Sequence, residues 1–235
     1  MADTPFALAM FFQNEEEWLT RHLPVLTAVT KLLDVKLIGL DGGSDDNSAH
    51  VWQKFGGELY YNEFVNFGAQ ANQLLRLCRM RNARYVLRLD ADELMFPEEM
   101  VKVLLLLGGS KTQSVQMRRY NFEGDAKHWC MDIYPDWQIR GINATECWYK
   151  GKVHERLICK NPLQVDYHIY HYEGLKTSAF RMWKNQNYAR RLEGKKDLSF
   201  AEYCKIVPTD KLPAVLRKQT KFTKKQPLGE IEDAL

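Results

Sequence analysis

Tyr85-Val86-Leu87-Arg88-Leu89-Asp90-Ala91-Asp92-Glu93 is the stretch on which the fold turns: an apolar run of strand length that delivers three acids at its carboxyl end, with Pro97 opening a helix through Leu107 behind it. Asp90 and Asp92 stand at i and i+2, where a turn aims both carboxylates toward one point. Bare anions there repel each other. A hard divalent cation resolves the conflict, and oxygen ligands with open positions suit Mg²⁺ or Mn²⁺ bridging to phosphate oxygens. The plainer alternative is that the two acids cap the following helix or pair with Arg88, which alternation places on the same strand face as Asp90.

Upstream, the same strand-then-helix rhythm repeats. Phe6 to Phe12 is an apolar run followed by Asn14-Glu15-Glu16-Glu17, the acidic start of a helix reaching about Leu33. Val35 to Leu40 is a second run, ending in Asp41-Gly42-Gly43-Ser44-Asp45-Asp46-Asn47-Ser48, a cluster of turn and cap residues. A helix over about 46–55, a short strand near Leu59 to Tyr61 and a helix over 67–80 follow. Such alternation predicts an α/β fold with a mostly parallel sheet flanked by helices, and ligands bind outside the carboxyl ends of strands in such sheets. Both acidic loops fall there. Gly42 and Gly43 permit close backbone approach, and Asp41 can accept hydrogen bonds from a ribose or base edge; as a bland alternative the loop is only a turn plus an N-cap.

Downstream of Gly108-Gly109 the pattern changes to aromatic-rich extended segments, over 114–122, 133–142, 147–153 and 165–172, which predicts antiparallel additions and acceptor contacts. Helices are expected over 175–192 and after Pro208. The expected organisation is one domain over 1–195, with a nucleotide-binding half (1–107) and an acceptor half (108–195), and a C-terminal helical extension over 196–235.

Bulk properties narrow the function. The 235 residues are 45% hydrophobic and 27% charged, ordinary for a globular chain, and the net charge of +3 lacks the concentrated basic face of a nucleic-acid binder. Lys211, Arg217, Lys218, Lys221, Lys224 and Lys225 gather near the end, a segment suited to peripheral contact with an anionic membrane or to solvating a terminal helix. Five cysteines with no CxxC pair argue against a disulfide framework or zinc ribbon. No signal pattern opens the chain and no apolar run is of membrane-spanning length, so a cytoplasmic location is expected.

Taken in order, Gln13-Asn14-Glu15-Glu16, Asp41-Gly42-Gly43-Ser44-Asp45-Asp46 and Leu89-Asp90-Ala91-Asp92-Glu93 resemble the family 2 glycosyltransferases of the GT-A fold, over roughly residues 6 to 190. The second half is similar to the subgroup that includes lipopolysaccharide-core glucosyltransferases, through Tyr134-Pro135-Asp136-Trp137-Gln138-Ile139-Arg140, Gly151-Lys152-Val153-His154-Glu155 and His168-Ile169-Tyr170-His171-Tyr172. The resemblance implies transfer of a sugar from a nucleotide sugar, UDP-sugar first, to a hydroxyl of a glycan, lipid-linked or protein-linked saccharide, with a metal and with inversion.

By the same resemblance Asn14, Glu15 and Asp41, with Gly42 and Ser44 in the Asp41 loop, hold the nucleotide. Asp90 and Asp92 bind metal and diphosphate, and His171 completes the metal shell; read alone, His171 is equally a hydrogen-bonded core histidine. Asn72 matches a donor-site asparagine, but Ala71 stands where relatives carry Lys or Arg, so Arg88, Arg140 or Arg156 is the expected substitute on phosphate. Glu155 is the candidate general base, with Asp136 in reserve; a salt bridge from Glu155 to Arg156, Lys152 or Arg140 is the alternative. Trp137 and Trp148 are sugar-stacking or core aromatics. Two other functions fit part of the pattern. One is an Asp-x-Asp phosphatase with Asp90 as nucleophile, though such a site usually follows the first strand; the other is an inactive nucleotide- or glycan-binding module.

Overall fold

A computed structural model describes residues 4–198 apart from 124, 132–133, 153, 161, 176–182, 184–185, 188–189 and 192–193. The helix expected over 175–192 falls largely, and the one after Pro208 wholly, outside the described residues. The described residues fall into two compact units, one within 4–121 and 130–171, the other within 122–129 and 172–198.

The first unit opens with β1 (Phe6–Phe12), α1 (Glu16–Leu32), β2 (Lys36–Asp41), α2 (Ser48–Lys54), β3 (Glu58–Tyr61), α3 (Phe67–Met80) and β4 (Tyr85–Arg88). β5 (Glu93–Leu94), α4 (Pro97–Gly109), β6 (Ser114–Glu123), β7 (Asp125–Trp129), β8 (Asp136–Asn143), β9 (Trp148–Lys150), β10 (Arg156–Ile158) and β11 (Leu163–Gly174) follow. The large sheet runs β3-β2-β1-β4-β8-β6-β11-β5, while β7 lies in the second unit, paired with residues 122–123. It is parallel from β3 to β4 and antiparallel where β8 joins β4 and where β6 joins β8. The fold is thus the mixed α/β arrangement expected. β5, β7 and β10 were not legible in the sequence.

β1 is buried along nearly its whole length, as a central parallel strand covered on both faces must be. α1 turns Trp18, Leu19, His22, Leu23, Leu26 and Val29 inward, a stripe at helical spacing. α3 is capped by Asn66, whose Oδ1 accepts the Ala69 N–H at 2.8 Å, and it buries Leu74, Leu75 and Cys78 against Ala7, Ile38 and Ile142. The register decides which loops meet. Phe12 lies opposite Asp41 and Ala9 opposite Arg88, so the loops after β1, β2 and β4 leave the sheet side by side. No helix among the described residues is long and apolar enough to cross a membrane.

In the second unit, Phe122 pairs with Trp129 and its ring lies 5.1 Å from that of Tyr172. Trp183 Nε1 donates to the Leu198 carbonyl at 2.6 Å, and the Asn187 amide bonds the Leu198 backbone in both directions at 2.8 and 2.9 Å.

Candidate active site

The first two strand-end loops are laced together. Asp41 Oδ1 accepts from the Gly43 N–H at 3.0 Å, the Ser44 N–H at 2.9 Å and the Ser44 hydroxyl at 2.8 Å, while Oδ2 takes none of these bonds. Gly43 sits at φ +97°, a turn that a side chain would strain. From the other loop, the Asn14 N–H donates to Ser44 Oγ at 3.0 Å, Asn14 Oδ1 accepts the Asp45 N–H at 2.9 Å, and the Glu15 N–H donates to Ser48 Oγ at 2.8 Å. Asn14, Glu15, Asp41, Gly42 and Ser44 therefore form one polar rim.

Beside it, the turn after β4 enters a chain of alternating charges. Arg88, 2% exposed, sends Nη1 to Glu155 Oε1 at 3.3 Å and Nη2 to Asp90 Oδ1 at 3.0 Å. Arg140 donates to Asp90 Oδ2 at 2.7 Å and grips Glu93 through Nε and Nη2, both at 2.6 Å. Arg119 then joins Glu93 at 2.8 Å to Asp136 at 2.8 Å. The ladder reads Glu155–Arg88–Asp90–Arg140–Glu93–Arg119–Asp136. Burial opposes the charged form of Glu93, yet Arg140 and Arg119 hold its carboxyl well below the usual range. Burial likewise opposes charge on Arg140, and Asp90 with Glu93 outweighs it, raising that guanidinium well above its ordinary value. Arg88 is raised against its burial chiefly by Asp90. Aromatic faces complete its seat, with the Phe11 and Tyr149 rings 5.1 and 5.2 Å from its guanidinium carbon.

Glu155 ends the loop of the β9–β10 hairpin, one residue before β10, and the hairpin is stitched onto the start of α3. Asn72 Nδ2 donates to the Tyr149 carbonyl at 2.8 Å, and Asn72 Oδ1 accepts the Tyr149 N–H at 2.7 Å. The Phe67 N–H donates to the Lys152 carbonyl at 3.0 Å. Gly68 lets the two backbones touch, since a Cβ there would lie 2.0 Å from the Gly151 carbonyl oxygen. The Asn72 amide is thus engaged by the hairpin backbone. Glu155 meets Arg88 rather than Arg156, Lys152 or Arg140, because the stitching turns it toward β4. Asp136, by contrast, accepts from Arg119, Asn121 at 2.9 Å and Gln138 at 2.7 Å, and these bonds lower its pKa despite burial.

His171 lies opposite Glu93 in the β11–β5 pairing. Its Nδ1 is 2.6 Å from Asn121 Oδ1 and its Nε2 is 3.7 Å from Asp92 Oδ1. A ring that donates from Nδ1 turns Nε2 toward Asp92 as a lone pair, or as an N–H on protonation. Asp92 and His171 are the side chains that would hold a divalent cation here, and it would supply charge neutralisation for a phosphate. Both Asp90 oxygens point to arginines, and among the described residues no set of three His, Cys, Asp or Glu side chains is arranged to hold a metal.

Sequence reading did not single out His22, Arg119 or Asn121. His22, 1% exposed on α1, meets the Ala91 carbonyl through Nδ1 at 2.9 Å and so fixes the Asp-x-Asp turn from beneath. Arg119 carried a signal: it continues the parity of buried Val115 and Met117 on β6, where a charge needs a partner. Of the tryptophans, Trp137 lies beneath Arg118 at 5.7 Å and Trp148 is 55% exposed.

Comparisons with known proteins agree with this layout. The family profile described as Glycosyl transferase family 2 matches residues 8–188. Among solved structures, S. aureus TarS is similar in fold, with a TM-score of 0.52 and 11% identity over 84% of this chain and 41% of that one. This chain therefore spans less than half of TarS. The TarS 1–349 fragment in complex with UDP-GlcNAc gives a TM-score of 0.47 at 11% identity, over 84% and 69% of the two chains. Glucosyl-3-phosphoglycerate synthase of Mycobacterium tuberculosis, in complex with Mn²⁺, UDP and glucosyl-3-phosphoglycerate, gives 0.39 at 19% identity, over 51% and 44%. No curated protein matches the chain in sequence. With the profile spanning most of its length, and the three strand-end loops arranged as described, the chain belongs to glycosyl transferase family 2.

Proposed function

We propose that this chain moves a sugar from a UDP-sugar to a hydroxyl of a glycan acceptor, with inversion and with a divalent cation, Mn²⁺ or Mg²⁺. The observation that carries the reading is one guanidinium, Arg88, joining Asp90 at the donor side to Glu155, 67 residues further along the chain. The Asn14, Glu15, Asp41, Gly42 and Ser44 rim holds the nucleotide, with Asp41 Oδ2 directed to the ribose or base. The diphosphate lies toward Asp92, Asp90 and His171, where a bound cation supplies charge neutralisation for the leaving group. Arg140 contributes by holding Asp90, and Asn72 by holding the hairpin.

Glu155 takes the acceptor proton. Its side chain is 13% exposed, and its single hydrogen-bonding partner among the described residues is Arg88, so an oxygen stays available to an incoming hydroxyl. Asp136, saturated by donors, is the weaker base. The similarity of residues 134–140, 151–155 and 168–172 to the lipopolysaccharide-core subgroup supports a saccharide acceptor. A thermal-shift screen of nucleotide sugars with and without Mn²⁺ tests the donor, since a ligand bound only by the folded chain raises its melting midpoint. Transfer assays with Asp92→Ala and Glu155→Gln follow. Both variants should fold and lose turnover, and near-normal activity in Asp92→Ala would remove the cation from the mechanism. Release of phosphate from simple esters, with no sugar transfer, would sink the whole reading.

A further inference from the structure

The β9–β10 hairpin that presents Tyr149 and Glu155 is flanked by cysteines. Trp148 lies opposite Ile158 in the antiparallel register, and carrying that register one pair outward sets Cys147 opposite Cys159. Both are free thiols, and Cys159 is near enough to help push the Cys147 thiol up. Neighbours hold them at the hairpin's base: the Cys147 thiol donates to the Gln113 carbonyl at 3.3 Å, and the Ser114 hydroxyl donates to Cys159 Sγ at 3.0 Å. Directly opposed residues of an antiparallel pair have Cβ atoms roughly 4.5–5.5 Å apart, and a disulfide needs roughly 3.5–4.5 Å, so closure asks for a small local adjustment.

We propose that Cys147 and Cys159 form a redox site, closed to a disulfide by a low-molecular-weight disulfide such as oxidised glutathione and reopened by thiols. The Cys159 thiolate attacks one sulfur of the oxidant, forming a mixed disulfide and expelling the first glutathione thiolate. Cys147 gives up its proton, attacks Cys159 Sγ and expels the second. Two protein thiols become one disulfide, two electrons pass to the oxidant, and its two sulfurs leave as thiols. The order follows from access. Cys159 is half-buried, whereas Cys147 is 4% exposed and its thiol is pushed up to about 12 by burial and by Cys159 and Glu146 beside it. The bond staples residues 148–158 at their root, restraining the strand that carries Tyr149 and the loop that carries Glu155. This site stands whether or not the chain transfers a sugar.

The test uses the full reduced chain incubated with oxidised glutathione, then denatured and titrated for thiols. The count should fall from five to three, peptide mapping should link Cys147 to Cys159, and dithiothreitol should restore all five. Closing so short a loop should raise the melting midpoint by roughly 5–10 °C. Cys159→Ser should keep its remaining thiols, and Cys147→Ser should trap a glutathione adduct on Cys159. Five titratable thiols after incubation, a stable glutathione adduct on the unmodified sequence, or a link through Cys78, Cys130 or Cys204 would overturn the assignment.

Discussion

Replacing Glu93 with glutamine strikes the charge ladder where it is deepest. The Glu93 side chain is 0% exposed and accepts from Arg140 twice at 2.6 Å, from Arg119 at 2.8 Å and from the Asp90 N–H at 3.2 Å. Glutamine keeps the shape but faces buried guanidiniums with an amide donor, leaving positive charge uncompensated. Breaking a buried pair from one side costs about 3–5 kcal/mol. Against a total stability of about 5–15 kcal/mol that is a large share. At about 2–4 °C per kcal/mol for a chain of this length, the melting midpoint should fall by about 6–20 °C. Urea denaturation measures it directly, with Glu146→Gln as the contrast: its pair with Arg84 is 38% and 48% exposed and should matter by less than about 1 kcal/mol. The pH dependence has a definite sign. Glu93 has a folded pKa below its unfolded value of about 4.3, so its contribution is complete above that pH and is lost as pH falls toward the folded value. The gap between the two proteins should therefore hold from neutrality to about pH 5 and narrow in acid. A neutral-pH difference under about 1 kcal/mol, or one that widens in acid, would refute the ladder as a stabilising unit.

Arg88→Lys keeps a cation but loses the fork that spans Asp90 and Glu155, and should lower turnover by about 10–100-fold while leaving UDP affinity nearly unchanged. Combined with Glu155→Gln it should cost no more than Glu155→Gln alone; additive losses in that double-variant cycle would show that Arg88 does not act through Glu155. Gly68→Ala drives a methyl against the Gly151 carbonyl and should destabilise by about 1–3 kcal/mol with loss of turnover, a result that unchanged urea curves would contradict. Among the described residues the buried Tyr149 hydroxyl has no hydrogen-bond partner, so Tyr149→Phe should be neutral or stabilising by up to about 1 kcal/mol, and a clear loss of stability would show that the hydroxyl has a role in the fold.

Much of the first 107 residues was legible because period and punctuation coincide there. Apolar runs of strand length end at Asp41 and Asp90, and the helix over 67–80 was read to its observed bounds. The pairing of Arg88 with Asp90 followed from simple alternation. What stayed hidden depends on distance in the chain. Nothing near Glu155 announces Arg88, and nothing near Asn72 announces the Tyr149 backbone, 77 residues away. β5 and β10 span two and three residues, too short for any period to show. Arg119 was the missed clue, a charge placed where apolar parity asks for a hydrophobe.

The order of synthesis gives the placement of β8 a further meaning. β4 pairs with β1 on one side as soon as it emerges, but its other edge waits for residues 141–143, more than fifty positions later. A nascent chain in that interval carries an open, apolar edge of the kind that recruits stray strands. Asp90 and the buried Glu93 gain their partners only once Arg119 and Arg140 have been made, so the charge ladder closes together with the sheet.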